Sequence, residues 1–144
     1  MRWRILAVVV TCLSVVSFLG CASGPAFHPP SEARPDLALI YIYRTQTFGG
    51  ANQPAVMIDG RQVTNLRPKG YSAHFVHPHK VEISAGSTQF IDEKDSRVVI
   101  DAEAGKTYYI QGKLGFGKKL GAPVLALVDE GTGAKEIQRC RLIE

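Results

Sequence analysis

The sequence predicts an all-β domain, a small antiparallel β-sandwich of seven or eight strands. Three observations point to it. Residues 37–44 form an apolar, β-branched and aromatic run with no helix-capping residue ahead of it. Residues 55–66 read as two strand-like runs on either side of Asp59-Gly60. The remaining apolar runs are short, closely spaced and separated by turn residues, as a sandwich requires and an α/β fold does not.

In order, residues 37–44 predict a strand buried on both faces, and residues 45–53, with Gly49 and Gly50, a loop. Asp59 and Gly60 predict a type I′ hairpin turn, because both central residues of that turn need positive φ and this pair reaches it at little cost. Residues 67–70 form a second turn. Residues 71–76 alternate, with Tyr71, Ala73 and Phe75 on one face and Ser72 and His74 on the other. After His77 and Pro78 the chain returns over 79–84 with Val81 and Ile83 inward. Residues 86–95 suggest a loop or ragged strand around Phe90 and Ile91, residues 97–101 and 107–113 two further strands, and 104–106 the turn between them. Residues 114–123, rich in glycine and lysine, read as a loop. Residues 122–128 return to strand, and Asp129 and Glu130 open a polar turn containing Gly131 and Gly133. Residues 134–143 set Ile137, Cys140 and Leu142 near helical spacing and are compatible with a short C-terminal helix.

Upstream of the domain the chain reads as a delivery signal and a tether. Arg2 and Arg4 are followed by an apolar run over 5–19, interrupted by Thr11, Cys12, Ser14 and Ser17, that closes on Gly20 and Cys21. The run is shorter than the roughly 20 apolar residues a spanning helix needs. Residues 22–36 hold Pro25, Pro29, Pro30 and Pro35 and no apolar period, which predicts a partly extended tether. The expected division is therefore a signal peptide at 1–20, an anchor and tether at 21–36 and the sandwich at 37–144.

Phe18, Leu19, Gly20 and Cys21 resemble the lipobox of bacterial lipoproteins, with Phe18 where Leu is usual. The resemblance implies signal cleavage between Gly20 and Cys21 and attachment of palmitate-type acyl chains to Cys21. At about 0.8 kcal/mol per buried CH₂, each long chain adds on the order of 10 kcal/mol of membrane affinity, so Cys21 would anchor the protein without a span. Ala22, rather than Asp, after the cysteine implies sorting to the outer membrane, facing the periplasm. An ordinary secretory signal cut near Ser23 or Gly24 is the alternative.

Charge narrows the partners. The precursor carries +4, but 17 basic side chains less Arg2 and Arg4 leaves 15 against 13 acidic, a balance of +2. The cations are scattered, with no nucleic-acid footprint. Cys12 would leave with the signal and Cys21 would be acylated, so Cys140 is the one remaining thiol and reads as buried and inert.

Tyr41, Tyr43 and Arg44, the Ile58 to Gly60 hairpin, Gly70 and Tyr71, and the closing Glu136, Ile137, Cys140, Arg141 and Leu142 resemble the bacterial lipoproteins of domain of unknown function family 2846, over about residues 35–143. The middle also resembles PEGA-type surface modules, except that His77, Pro78 and His79 lack the glycine usual after the proline. The resemblance implies an envelope-facing β-sandwich and no activity.

No Gly-x-Ser-x-Gly elbow occurs, and Asp92, Glu93 and Asp95 alternate with Lys94 and Arg97 as a solvated loop does. The glycines from Gly112 to Gly117 lack the helix a phosphate cradle needs. Phe116 with Lys113, Lys118 and Lys119 makes a candidate contact tip for membrane or cell-wall acids. His74, His77 and His79 are the weak candidates for a metal, short of the three or four well-placed ligands zinc takes. The expectation is a non-enzymatic, lipid-anchored binding or structural module without a cofactor, meeting the membrane through Cys21 and an envelope protein partner. The alternative is a small-ligand or metal-binding periplasmic protein using the His74, His77 and His79 corner.

Overall fold

The computed structural model describes residues 20–86, 96–115 and 121–143. The expected signal segment up to Leu19, the ragged 87–95 stretch with Asp92, Glu93 and Asp95, and the Phe116, Lys118 and Lys119 tip lie outside the described residues.

Nine strands form two sheets: β1 (Ala38–Arg44), β2 (Ala55–Ile58), β3 (Arg61–Asn65), β4 (Gly70–Val76), β5 (Lys80–Gly86), β6 (Arg97–Asp101), β7 (Thr107–Leu114), β8 (Pro123–Val128) and β9 (Arg141–Leu142). Helix α1 (Glu130–Glu136) and a 3₁₀ turn (Ile137–Arg139) separate the last two strands. The larger sheet runs β8-β7-β1-β4-β9 and the smaller β3-β2-β5-β6. Neighbours are antiparallel except β1 with β7 and β4 with β9, which are parallel, so the larger sheet is mixed and not purely antiparallel as expected. The ninth strand is the two-residue β9. It is formed by pairing with Gly70 and Tyr71 of β4 and by a bridge from Arg141 to Ala26, and two residues carry no period that a sequence could display.

β1 is the centre of the molecule because it is apolar on both faces. Its even residues Ile40 and Ile42 join Ile110, Val56, Ile58, Val81, Ile83 and Ile100 in the core between the sheets. Its odd residues Tyr41 and Tyr43 join Tyr71, Tyr109, Ile137 and Cys140 on the opposite face, beneath the helix. The result is three layers: small sheet, large sheet, and a cover made by α1, β9 and the first described residues. The hairpin is as its sequence predicts, with Asp59 at φ 50° and Gly60 at φ 76°. Asp59 also accepts from the Glu82 N–H at 2.9 Å, which ties the turn to β5.

The helix lies earlier than the spacing of Ile137 and Cys140 suggested. Asp129 is its N-cap, its Oδ1 accepting from the Thr132 N–H at 2.9 Å, and hydrogen bonding from the Thr132 side chain, then from that N–H, holds the Asp129 carboxyl below its usual range. Two glycines in seven residues disguise it. Gly133 is required by contact: a Cβ there would meet Tyr109 at 2.3 Å. The helix can rest on the tyrosine layer only with no side chain at that point. Gly131 has only Asp129 Oδ1 nearby, at 3.3 Å.

Helix propensity alone favours Ala over Gly by about 1 kcal/mol at both sites. The expected outcome of urea unfolding is that Gly131→Ala is neutral or slightly stabilising, whereas Gly133→Ala loses about 1–3 kcal/mol because overpacking against Tyr109 exceeds the gain in propensity. Equal effects at the two positions would show that the close approach does not govern the helix.

Candidate functional site

Three places bring together chemistry-bearing residues. The first is the end of the sandwich where β1 finishes. Arg44, its last residue, is fully buried, with no carboxylate paired to it among the described residues. Backbone carbonyls take that role. Nη1 donates to Leu66 O at 2.9 Å and to Asn52 O at 3.2 Å, and Nη2 donates to Phe48 O. Burial pulls the guanidinium below its usual pKa. Loop 45–54 therefore wraps a cation, and Gly49, at φ 72°, sits where an added Cβ would come within 3.2 Å of the guanidinium.

Cys21 stands at this end, half-buried. The residues after it do not form the free tether expected of their prolines. Ala22 donates its N–H to Pro68 O at 3.0 Å, Pro25 O accepts from the Leu142 N–H at 2.9 Å, and Arg141 Nη1 donates to Gly24 O at 3.2 Å. Phe27 lies edge-on to Tyr41 and Tyr71, at centroid distances of 5.4 and 5.1 Å. Proline predicts an extended chain; here β9 and the tyrosine layer supply what an extended chain docks against.

The second place is a groove of about 610 Å³ between the prolines and the outer face of the larger sheet. Leu37, Leu39, Tyr41, Tyr109 and Phe75 line it, with Ala134 and Gln138 on the helix side and Lys106 and Thr107 at one end. Tyr41 and Tyr109 stack at 5.3 Å, and burial, then the neighbouring Tyr109 and Tyr71, push the Tyr41 hydroxyl up to about 12. Arg34 sits 4.9 Å over the Phe75 ring and closes the proline segment onto the sheet. Deeper in the layer, Glu136 accepts from Tyr43 Oη at 2.6 Å and from Gln111 Nε2, and burial followed by that carboxylate raises the Tyr43 pKa. This groove was invisible in the sequence because its walls come from residues 27–41, 75, 105–109 and 134–138.

The third place is the histidine corner. His74 shares the inner face of β4 with Ser72 and hydrogen-bonds it, Nε2 to Oγ, at 3.0 Å. His79 is exposed; its Nε2 meets Asp59 Oδ2 at 2.7 Å and its Nδ1 donates to His77 O at 2.7 Å. His77 is exposed. Among the described residues no group of three His, Cys, Asp or Glu stands together as metal ligands. The Ser72 and His74 pair, placed on one face by the alternation of the sequence, has no carboxylate hydrogen-bonded to the imidazole among the described residues and so lacks the third member of a nucleophilic triad. Cys140 is buried, its thiol donating to Arg44 O at 3.6 Å, and burial pushes its pKa up to about 11. It is a packing residue.

The fold and these places define a β-sandwich with a helical cover and a docked N-terminal segment. The chain belongs to the family described as Protein of unknown function (DUF2846), whose model matches residues 34–121. The match spans β1 to β7 and stops short of Cys140, Arg141 and Leu142, on which part of the expected resemblance rested. No curated protein matches the chain.

Arg44→Met keeps the volume and leaves three carbonyls without donors; the expected loss in urea unfolding is about 3 kcal/mol. A loss below about 0.5 kcal/mol would mean that the loop does not depend on the cation. The histidines give opposite pH signs. Burial lowers the His74 pKa below 6.5, so its contribution is intact above 6.5 and is lost as pH falls through its folded value. Hydrogen bonding to Asp59 raises that of exposed His79, whose small contribution is present below 6.5 and lost as pH rises through its folded value. Melting temperatures between pH 8 and 5 are expected to fall less steeply in His74→Gln than in the parent. Parallel curves would contradict the burial effect.

Proposed function

We propose that this chain is a lipid-anchored β-sandwich protein of the bacterial cell envelope that acts as a non-enzymatic binding module facing the periplasm, held to the outer membrane through acylated Cys21. The observation that carries the reading is the position of Cys21: it directly precedes the docked segment at the end of the domain, where acyl chains can leave without crossing the fold. The surface offered to a partner is the aromatic groove. It combines apolar walls with a few polar groups at its ends, the usual make-up of a ligand or peptide site.

The measurement is intact mass of the protein purified from membranes of a Gram-negative host, with photo-crosslinking from Gln138 in the same cells. The expected result is residues 21–144 plus acyl groups, Cys21→Ala left unprocessed or released, and a discrete crosslinked partner from Gln138 but not from Arg61. A mature N-terminus beyond Cys21 without acyl mass would replace the anchor with a secreted domain.

A further inference from the structure

An anchor usually leaves its domain free to swing. Fifteen residues of flexible tether would span about 20 Å on average, and as polyproline about 45 Å. Here the chain is seated on the fold from the residue after Cys21 onward. Ala22 is 5 % exposed, and a Cβ on Gly24 would meet Leu142 O at 2.4 Å, so the strap lies flat against β9. Cys21 is thus held within about one residue length, some 3.5 Å, of a fixed point on the domain.

Topology decides what else stands at that end. β1 ends there and β4 begins, paired at Arg44 and Gly70, and β7 finishes beside β8 at Leu114 and Pro123. The connections interlock: Gln53 Nε2 donates to Gly20 O at 3.3 Å, a Cβ on Gly49 would meet the Leu114 side chain at 2.7 Å, and Asn52 Nδ2 donates to Gly121 O at 2.8 Å. Phe48, in the middle of this loop, is 40 % exposed. Among the described residues the cations Arg67, Lys69, Arg97, Lys113 and Arg141 stand at this end, and the carboxylate Glu136 nearby is taken up by Tyr43 and Gln111. Asp59, Asp101, Glu103, Asp129 and Glu130 occupy the turns and strand ends opposite, together with the cations Arg61, Lys80 and Lys106. The groove lies toward that opposite end, reached from the starts of β1 and β7, Leu39 and Thr107.

We propose, resting on the anchor reading of Cys21, that this end is a membrane-contact face. The docked strap presses it against a phospholipid bilayer, Phe48 enters the headgroup layer, and Arg67, Lys69 and Lys113 meet lipid phosphates. An aromatic side chain and cations around acyl chains are the residues an interfacial surface uses. The geometry also turns the groove away from the bilayer, toward the periplasm. The domain is a fixed post and not a tethered float.

The test uses the full chain, processed and acylated in the host and reconstituted in phosphatidylethanolamine and phosphatidylglycerol vesicles containing a nitroxide lipid with a shallow label. Single fluorescent labels are placed at Thr47→Cys and Phe48→Cys on the proposed face and at Arg61→Cys and Ala104→Cys on the opposite turns, while Cys140 is buried. The expected result is several-fold stronger quenching at 47 and 48 than at 61 and 104. Equal quenching at the two ends in protein whose mass shows acylated Cys21 overturns the orientation and leaves the anchor standing. Protein without acyl mass overturns the anchor and this proposal together.

Discussion

One buried cation organises the end of the molecule where function is proposed. Arg44 closes the central strand with its guanidinium out of water and no carboxylate paired to it among the described residues, so the cost of desolvating a charge is met by dipoles. Three carbonyls supply them, and all belong to connections, Phe48 and Asn52 from the β1–β2 loop and Leu66 from the approach to β4. The loop is therefore not a free excursion between two strands. Its course is set by the need to point carbonyls inward, and Asn52 and Gln53 from the same loop then hold Gly121 and Gly20. Removing the charge would release the loop, and with it the surroundings of Cys21.

A second dependence runs across the outer face of the larger sheet. Tyr41, Tyr43, Tyr71 and Tyr109 come from three strands and would be an apolar surface in water without a cover. α1 and Ile137 cover one part, resting on Tyr109 through the bare backbone of Gly133; Phe27 covers another. Ring pairs of this kind contribute about 0.5–1.5 kcal/mol each beyond the area they bury. The strap and β9 also complete one another, since Leu142 bonds to Pro25 and Arg141 pairs with Ala26. The two ends of the domain fold as one edge.

The cover leaves the groove where it is incomplete. Between the strap and the helix the tyrosine layer stays partly open, and Arg34 over Phe75 keeps the prolines from peeling away. The histidine corner has another character. His74 serves Ser72 within the fold and His79 serves the Asp59 turn, so each ring is already engaged in holding structure.

Local chemistry made most of the strands legible. Asp59-Gly60 specified its own turn because positive φ is a property of those two residues, and alternation in 71–76 and at Val81 and Ile83 placed side chains correctly because a strand's period is intrinsic. The doubly apolar run at 37–44 announced a central strand. Tertiary structure alone decided the rest. The parallel pairing of β1 with β7, the two-residue β9, the glycine-bearing helix and the docked strap each depend on a partner far away in sequence. Their stability comes from contacts and not from propensity. The sequence by itself determined which segments would be strands and that Cys21 follows an apolar run. Only the packed molecule decided that the prolines after Cys21 lie against β9 and that a groove opens beside them, because both are made by residues that meet only when the two ends of the chain come together.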